Sequence, residues 1–159
     1  MTQPEAEGVP SGFKAVPEGL GFSDTLQPSY LRTEGDEVSF GFLAGPAHGN
    51  SMGIVHGGVL MTLADLAAAC GVNHARGVRA GSPTINLAVD FIAAAKLGKW
   101  IQADVTQVSL KRRFAFASGL IHTSDGPVAR FNGTFYLPDH DGMWRGEGPR
   151  GGVLGVPDQ

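Results

Sequence analysis

One cysteine in 159 residues leaves no partner for an intrachain disulfide. A disulfide-stapled secreted scaffold is excluded, and a reducing compartment is expected. Cys70 itself lies in an apolar stretch, where a thiol is more often a small hydrophobe than a nucleophile. Basic excess is also missing. Twelve Lys and Arg stand against 15 Asp and Glu, a formal net charge of −3, which argues against general nucleic-acid binding. No apolar run reaches the ~20 residues that span a bilayer, so no membrane partner is expected. Met1-Thr2-Gln3-Pro4-Glu5 shows no basic region followed by an apolar core. A signal peptide is therefore not expected, and the expected location is the cytoplasm. A dinucleotide fingerprint, a phosphate loop and a Cys-x-x-Cys pair are all lacking. His56, Asp65 and His74 recur at nine-residue intervals, unlike the His-x-x-x-His spacing that puts two ligands on one helix face. His122 and His140 have no partner spacing either. No metal site is expected.

The length fits one domain with a substantial core. Residues 1–20, rich in Gly, Pro and charge, read as an irregular arm, and residues 139–159 as a Gly/Pro-rich tail in which Trp144 could serve as an anchor. The domain between them is residues 21–138. Ser29–Thr33 and Glu37–Ala44 flank Glu34-Gly35-Asp36 and read as a hairpin. A helix is expected from Gly57 to about His74, then a loop from Gly77 to Gly81. Thr84–Ala93 alternates Ile85, Leu87, Val89 and Phe91 with polar or small residues, the period of a strand. Trp100–Leu110, Phe114–Thr123 and Val128–Leu137 follow as strands, the last two joined at Ser124-Asp125-Gly126-Pro127. With no second helix to cross between parallel strands, the sheet should be antiparallel with one helix packed on it, an α+β arrangement. Phe114, Phe116, Phe131, Phe135 and Tyr136 read as core or interface fillers, since no basic stripe accompanies them.

The helix carries the most informative residue. From Val59 to Val72 only Thr62 and Asp65 are polar. A helix apolar all round belongs inside a fold, and a carboxylate there must be paired, neutralised or placed at a cavity. The helix opens at Gly57-Gly58, whose free N–H groups can receive developing negative charge.

The segment Asn50-Ser51-Met52-Gly53-Ile54-Val55-His56-Gly57-Gly58, followed by Asp65, resembles the phenylacetate-degradation branch of the hotdog acyl-CoA thioesterases. That family shows Asn-x-x-Gly-x-x-His-Gly-Gly before its central helix and an acid about two turns inside it. Ala95-Lys96-Leu97-Gly98 is similar to the family's turn after the next strand. The resemblance covers roughly residues 38–137. It implies a hotdog fold, a long helix wrapped by an antiparallel sheet, and hydrolysis of an acyl-CoA to the free acid and CoA. It implies that the Gly57 N–H and the helix dipole polarise the thioester carbonyl, with Gly58 also at the substrate and Asn50 and His56 positioning it. Asp65 would be general base or nucleophile, and Thr84 would hold the water. No cofactor is required, because CoA is part of the substrate.

Spacing argues for a shared site. Gly57 and Asp65 are eight residues apart, about 12 Å of helix at 1.5 Å per residue. A carboxylate that far along cannot easily serve a carbonyl at its own helix's mouth. An antiparallel two-fold partner could bring its Asp65 there, so a homodimer, or a dimer of dimers, is the expected assembly. The basic run Lys111-Arg112-Arg113 lies at a strand turn and is a candidate grip for the CoA phosphates. A competing motif, Gly49-Asn50-Ser51-Met52-Gly53, matches the Gly-x-Ser-x-Gly nucleophile elbow. That elbow needs a strand directly before it, a helix directly after it and a parallel sheet. A reading of another class is a non-catalytic acyl-CoA-binding hotdog domain, disfavoured because no DNA-binding region accompanies it.

Overall fold

A computed structural model of the chain describes residues 8–77 and 81–139. The tail from residue 140 on, with Trp144 and His140, lies outside the described residues, as does most of the loop read at Gly77–Gly81. Among the described residues the extended segments form seven strands. These are β1 (Lys14–Ala15), β2 (Ser29–Glu34), β3 (Glu37–Leu43), β4 (Thr84–Phe91), β5 (Trp100–Leu110), β6 (Phe114–Thr123) and β7 (Gly126–Tyr136). They make one sheet in the order β1-β2-β3-β5-β6-β7-β4, with every neighbouring pair antiparallel. One α-helix, α1 (Gly57–Arg76), packs across one face of it, from β3 to β4. No described helix is long and apolar enough to cross a membrane.

Local chemistry sets the limits of α1. His56 is its N-cap, with Nδ1 accepting from the Gly58 N–H at 2.8 Å. Gly77 ends it with φ 64°, the left-handed conformation that glycine adopts without steric cost, and its N–H returns to Asn73 O at 3.1 Å. The helix thus runs two residues past the expected His74. Arg76 occupies its last turn, where a positive charge interacts favourably with the helix dipole.

The sheet's inner face supplies Val38, Phe40, Phe42, Ile101, Ala103, Val105, Ala115, Ala117, Ile121, Ala129, Phe131 and Phe135, all buried. They meet Leu60, Leu63, Ala64, Ala67, Ala68 and Val72 of α1. Gly71 permits the closest approach, since a methyl group there would stand 2.8 Å from the Val105 side chain. Phe114 and Phe116 lie on the other face and stay exposed.

Further expectations differ from the structure. The segment read as an irregular arm contributes β1, which pairs with β2. β4 stops at Phe91 instead of Ala93, because the N–H groups of Ile92 and Ala93 both turn to Val128 O. And α1 is not enclosed on all sides. Gly58, Met61, Thr62, Asp65 and Ala69 form a partly or fully exposed stripe beside β4, an edge strand whose Ile85 and Phe91 are more than half exposed. Apolar periodicity cannot distinguish a face covered by its own sheet from one left for another surface.

On the outer face, residues far apart in sequence converge on Asp104. Ser39 Oγ and Gln102 Nε2 donate to its Oδ1 at 2.6 Å each, and His122 Nε2 meets its Oδ2 at 2.6 Å. Burial pushes this carboxyl's pKa up, but those three hydrogen bonds and the His122 charge outweigh it and leave it below the ordinary 3.8. A depressed native pKa gives stability that is present above the unfolded value and lost as pH falls through the native one. Asp104→Asn is therefore expected to lower Tm at neutral pH, by about 1–2 kcal/mol of stability for weakened charge-assisted bonds. The gap to the parent should narrow below about pH 4. Circular-dichroism melts across pH check this. A gap of constant size would show that the carboxylate's charge is not what stabilises the three strands.

Candidate active site

The loop before α1 is shaped by Asn50. Its Oδ1 accepts from the N–H groups of Met52 and Ile54 at 2.9 and 3.3 Å, folding a turn that carries Ser51 and Gly53. Its amide nitrogen has no acceptor among the described residues. Ile54 then pairs with Lys96, and Val55 N–H bonds Ala95 O, so the Ala95-Lys96-Leu97-Gly98 turn buttresses the approach to the helix. His56 N–H bonds His48 O at 2.8 Å.

At the helix mouth the two glycines separate in role. The Gly58 N–H is taken by the His56 imidazole. The Gly57 N–H has no acceptor among the described residues, which leaves it as the open donor at the positive end of the dipole. Gly58 is thus a capped helix residue, and His56 is its cap. A methyl group on Gly57 would lie 3.3 Å from the Phe91 ring, a tight contact that the ring would have to relax.

Two turns along, Asp65 is partly exposed on the open stripe. Thr84 Oγ1 donates to its Oδ1 at 2.7 Å. A second hydroxyl, Ser82, lies two residues before Thr84, and the structure gives the two different partners. Ser82 Oγ instead donates to Asn73 Oδ1 at 3.0 Å and accepts from Arg76 Nη1 at 3.1 Å. With one oxygen held by Thr84, Asp65 can aim the other at a water or an acyl carbon.

Asp65 and Thr84 come together within one chain. Gly57 lies at the far end of β4, against Phe91. Lys111, Arg112 and Arg113 are not beside their own helix mouth. Phe114 pairs with Tyr136 and Thr84 with Phe135, so this turn stands at the Thr84 end of the sheet. Arg113 reaches Tyr136 Oη at 3.3 Å and Asp139 at 3.8 Å. Lys111 and Arg112 are exposed and form no ion pair among the described residues.

Competing nucleophiles lose their footing. Ser51 sits in an exposed turn, and the sheet is antiparallel throughout, so the nucleophile-elbow context is absent among the described residues. Cys70 is fully buried, and burial, with the Asp65 charge, pushes its thiol up to about 12, which keeps it protonated. Ser39, Asp104 and His122 have the residue types of a triad, but the carboxylate stands between hydroxyl and imidazole. A nucleophilic triad needs the imidazole in the middle.

Comparison with known proteins identifies the family and the fold. A family model described as "Thioesterase superfamily" matches residues 52–130, from the helix approach into the first half of β7. A candidate esterase of Pseudomonas aeruginosa is 30% identical over 131 residues, covering 82% of this chain and 98% of that protein. The chain belongs to the thioesterase superfamily. Among solved structures, a mutant of the phenylacetic acid degradation protein PaaI from Thermus thermophilus superposes with TM-score 0.62. It is 25% identical over 69% of this chain and 93% of that one. A hypothetical thioesterase from Streptococcus pneumoniae, solved with coenzyme A, shares the fold at TM-score 0.63. Its identity is 18%, over 78% of this chain and 94% of that one. The sheet and its long helix are thus the hotdog fold of this superfamily, with PaaI proteins among the neighbours.

Proposed function

We propose that this thioesterase-superfamily protein hydrolyses an acyl-CoA to the free acid and CoA, at a site shared by two copies of the chain. The observation that carries the reading is the pairing of Thr84 with Asp65 on an open helix stripe, with an unoccupied N–H donor at the same helix's mouth. The donor stabilises the oxyanion that forms as the thioester carbonyl is attacked. Asp65, oriented by Thr84, takes a proton from the attacking water, or attacks the carbonyl itself to give an anhydride that water then cleaves. As the tetrahedral adduct collapses the C–S bond breaks and CoA leaves as the thiol, the proton coming from the water consumed. Asn50 and His56 hold the loop and the cap that aim Gly57.

Separation along the helix favours two subunits. About 12 Å of helix lies between donor and acid. The exposed stripe and the β4 edge lie side by side, and an unpaired apolar edge strand invites pairing. An antiparallel two-fold pairing along β4 would set one copy's Thr84 end beside the other's Phe91 and Gly57. It would carry the partner's basic turn to the same place, where Lys111, Arg112 and Arg113 can meet CoA phosphates. The CoA found with the pneumococcal structure supports that substrate class. The chemistry uses protein groups and water alone.

Steady-state hydrolysis of phenylacetyl-, benzoyl- and straight-chain acyl-CoA by the purified protein tests this. Turnover of at least one is expected. Tight binding of every acyl-CoA without turnover would make the protein an acyl-CoA-binding domain instead. In the same assay, replacing both Arg112 and Arg113 by alanine should raise KM with kcat nearly unchanged, because phosphate contacts hold ground state and transition state alike. The effect should shrink with a pantetheine thioester and with added salt, which screens exposed charges over about 8–10 Å. A parental KM for both substrates would remove these arginines from the binding site.

A further inference from the structure

The start of β4 is poorly fixed by the sheet itself. Thr84 pairs with Phe135, but the register shifts before Asn86, so Ile85 is an extra residue and the ladder is interrupted beside the hydroxyl that donates to Asp65. A bulge re-aims a side chain, here Thr84 toward Asp65, and gives up ladder hydrogen bonds in doing so. β4 also has only one neighbouring strand among the described residues. Something else must hold Thr84 in place.

Four hydrogen bonds do so. Ser82 Oγ lies between Asn73 Oδ1, 3.0 Å away, and Arg76 Nη1, 3.1 Å away. The other Arg76 nitrogen donates to Pro138 O at 3.2 Å, just beyond β7. Pro83 O accepts from the Tyr136 N–H at 2.9 Å. Asn73 is 6% exposed, so its carbonyl oxygen depends on the Ser82 hydroxyl for a donor. Two side-chain tethers therefore join α1 to the same three residues of chain, Asp65 to Thr84 and Asn73 with Arg76 to Ser82.

We infer that the Arg76–Ser82–Asn73 clamp is a positioning device for the thioesterase site, holding Thr84 at the Asp65 carboxylate. The inference rests on the function proposed above. Ser82 and Arg76 are positioning residues that act through Thr84 and touch no reacting atom. Loss of the clamp lets the bulged strand start drift, and Asp65 loses its fixed rotamer while substrate binding persists.

The test is a kinetic cycle on the full chain with whichever acyl-CoA is turned over. Ser82→Ala should lower kcat about tenfold, the scale of a small misplacement of a reacting group, with KM within about twofold of the parent. Ser82→Thr, which keeps the hydroxyl, should restore it. In a Thr84→Ala background, Ser82→Ala should cost nothing more, since its path to Asp65 is already cut. Parental kcat in folded Ser82→Ala, or effects that multiply in the double mutant, would overturn the clamp's role. If Ser82→Ala does not fold, Arg76→Lys replaces it, keeping the charge with a single donor group. A kcat equal to the parent's there would likewise overturn the inference. Failure of the functional reading looks different: Asp65→Asn would keep full activity whatever Ser82 does.

Discussion

Asp65→Asn is expected to reduce kcat by about 10²–10⁴-fold, the usual loss when a positioned general base is removed. The substitution preserves size, and the asparagine carbonyl oxygen can still accept from Thr84 Oγ1, which now contacts Oδ1 at 2.7 Å. Folding and assembly should therefore survive, and only the basic oxygen is lost. Release of CoA thiol under saturating substrate measures the effect. A kcat within about threefold of the parent would make the carboxylate a structural partner of β4 and remove it from the chemistry.

The second large effect concerns which chain supplies which half of the site. Gly57→Val should abolish activity, because a side chain there meets the Phe91 ring at 3.3 Å from its first carbon and crowds the open N–H. Asp65→Asn should nearly abolish it for the reason above. If the Gly57 of one copy works with the Asp65 of another, mixing the two inactive proteins should restore activity. In each heterodimer one of the two sites then holds both intact groups. With random exchange half the molecules are heterodimers, so recovery of roughly a quarter of parental activity per site is expected when assembly is symmetric. Subunit exchange is verified separately by mass spectrometry of differently tagged chains. No recovery in confirmed heterodimers would put the donor and the acid in one chain.

How far the sequence could be read depended on the range of the interaction involved. Period-two segments, turn residues at Gly35 and at Ser124-Asp125, and a lone helical stretch beginning at Gly57-Gly58 are local features. They determined an antiparallel sheet with one helix, because each reflects sterics and burial within a few residues. The spacing from Asn50 to His56 and on to Asp65 is local too, so the candidate donor and acid were visible in one stretch of chain. Strand order was not. β4 could lie beside β3 or β7, and only the packed sheet placed it at the edge next to β7, with its bulge turning Thr84 toward Asp65.

The same reason governs the polar clusters. Ser39, Gln102, Asp104 and His122 carry no motif, since they meet only once β3, β5 and β6 are in register. Ser82 and Thr84 are equivalent in sequence, two hydroxyls before one strand. The helix decides between them, because Asp65 and Asn73 lie eight residues apart along its axis and each claims one hydroxyl. The composition of α1 predicts fuller burial than the structure shows, for a related cause. Apolarity records that a face leaves water, while tertiary structure decides which surface covers it, and here the chain's own sheet leaves open the stripe through Met61 and Asp65.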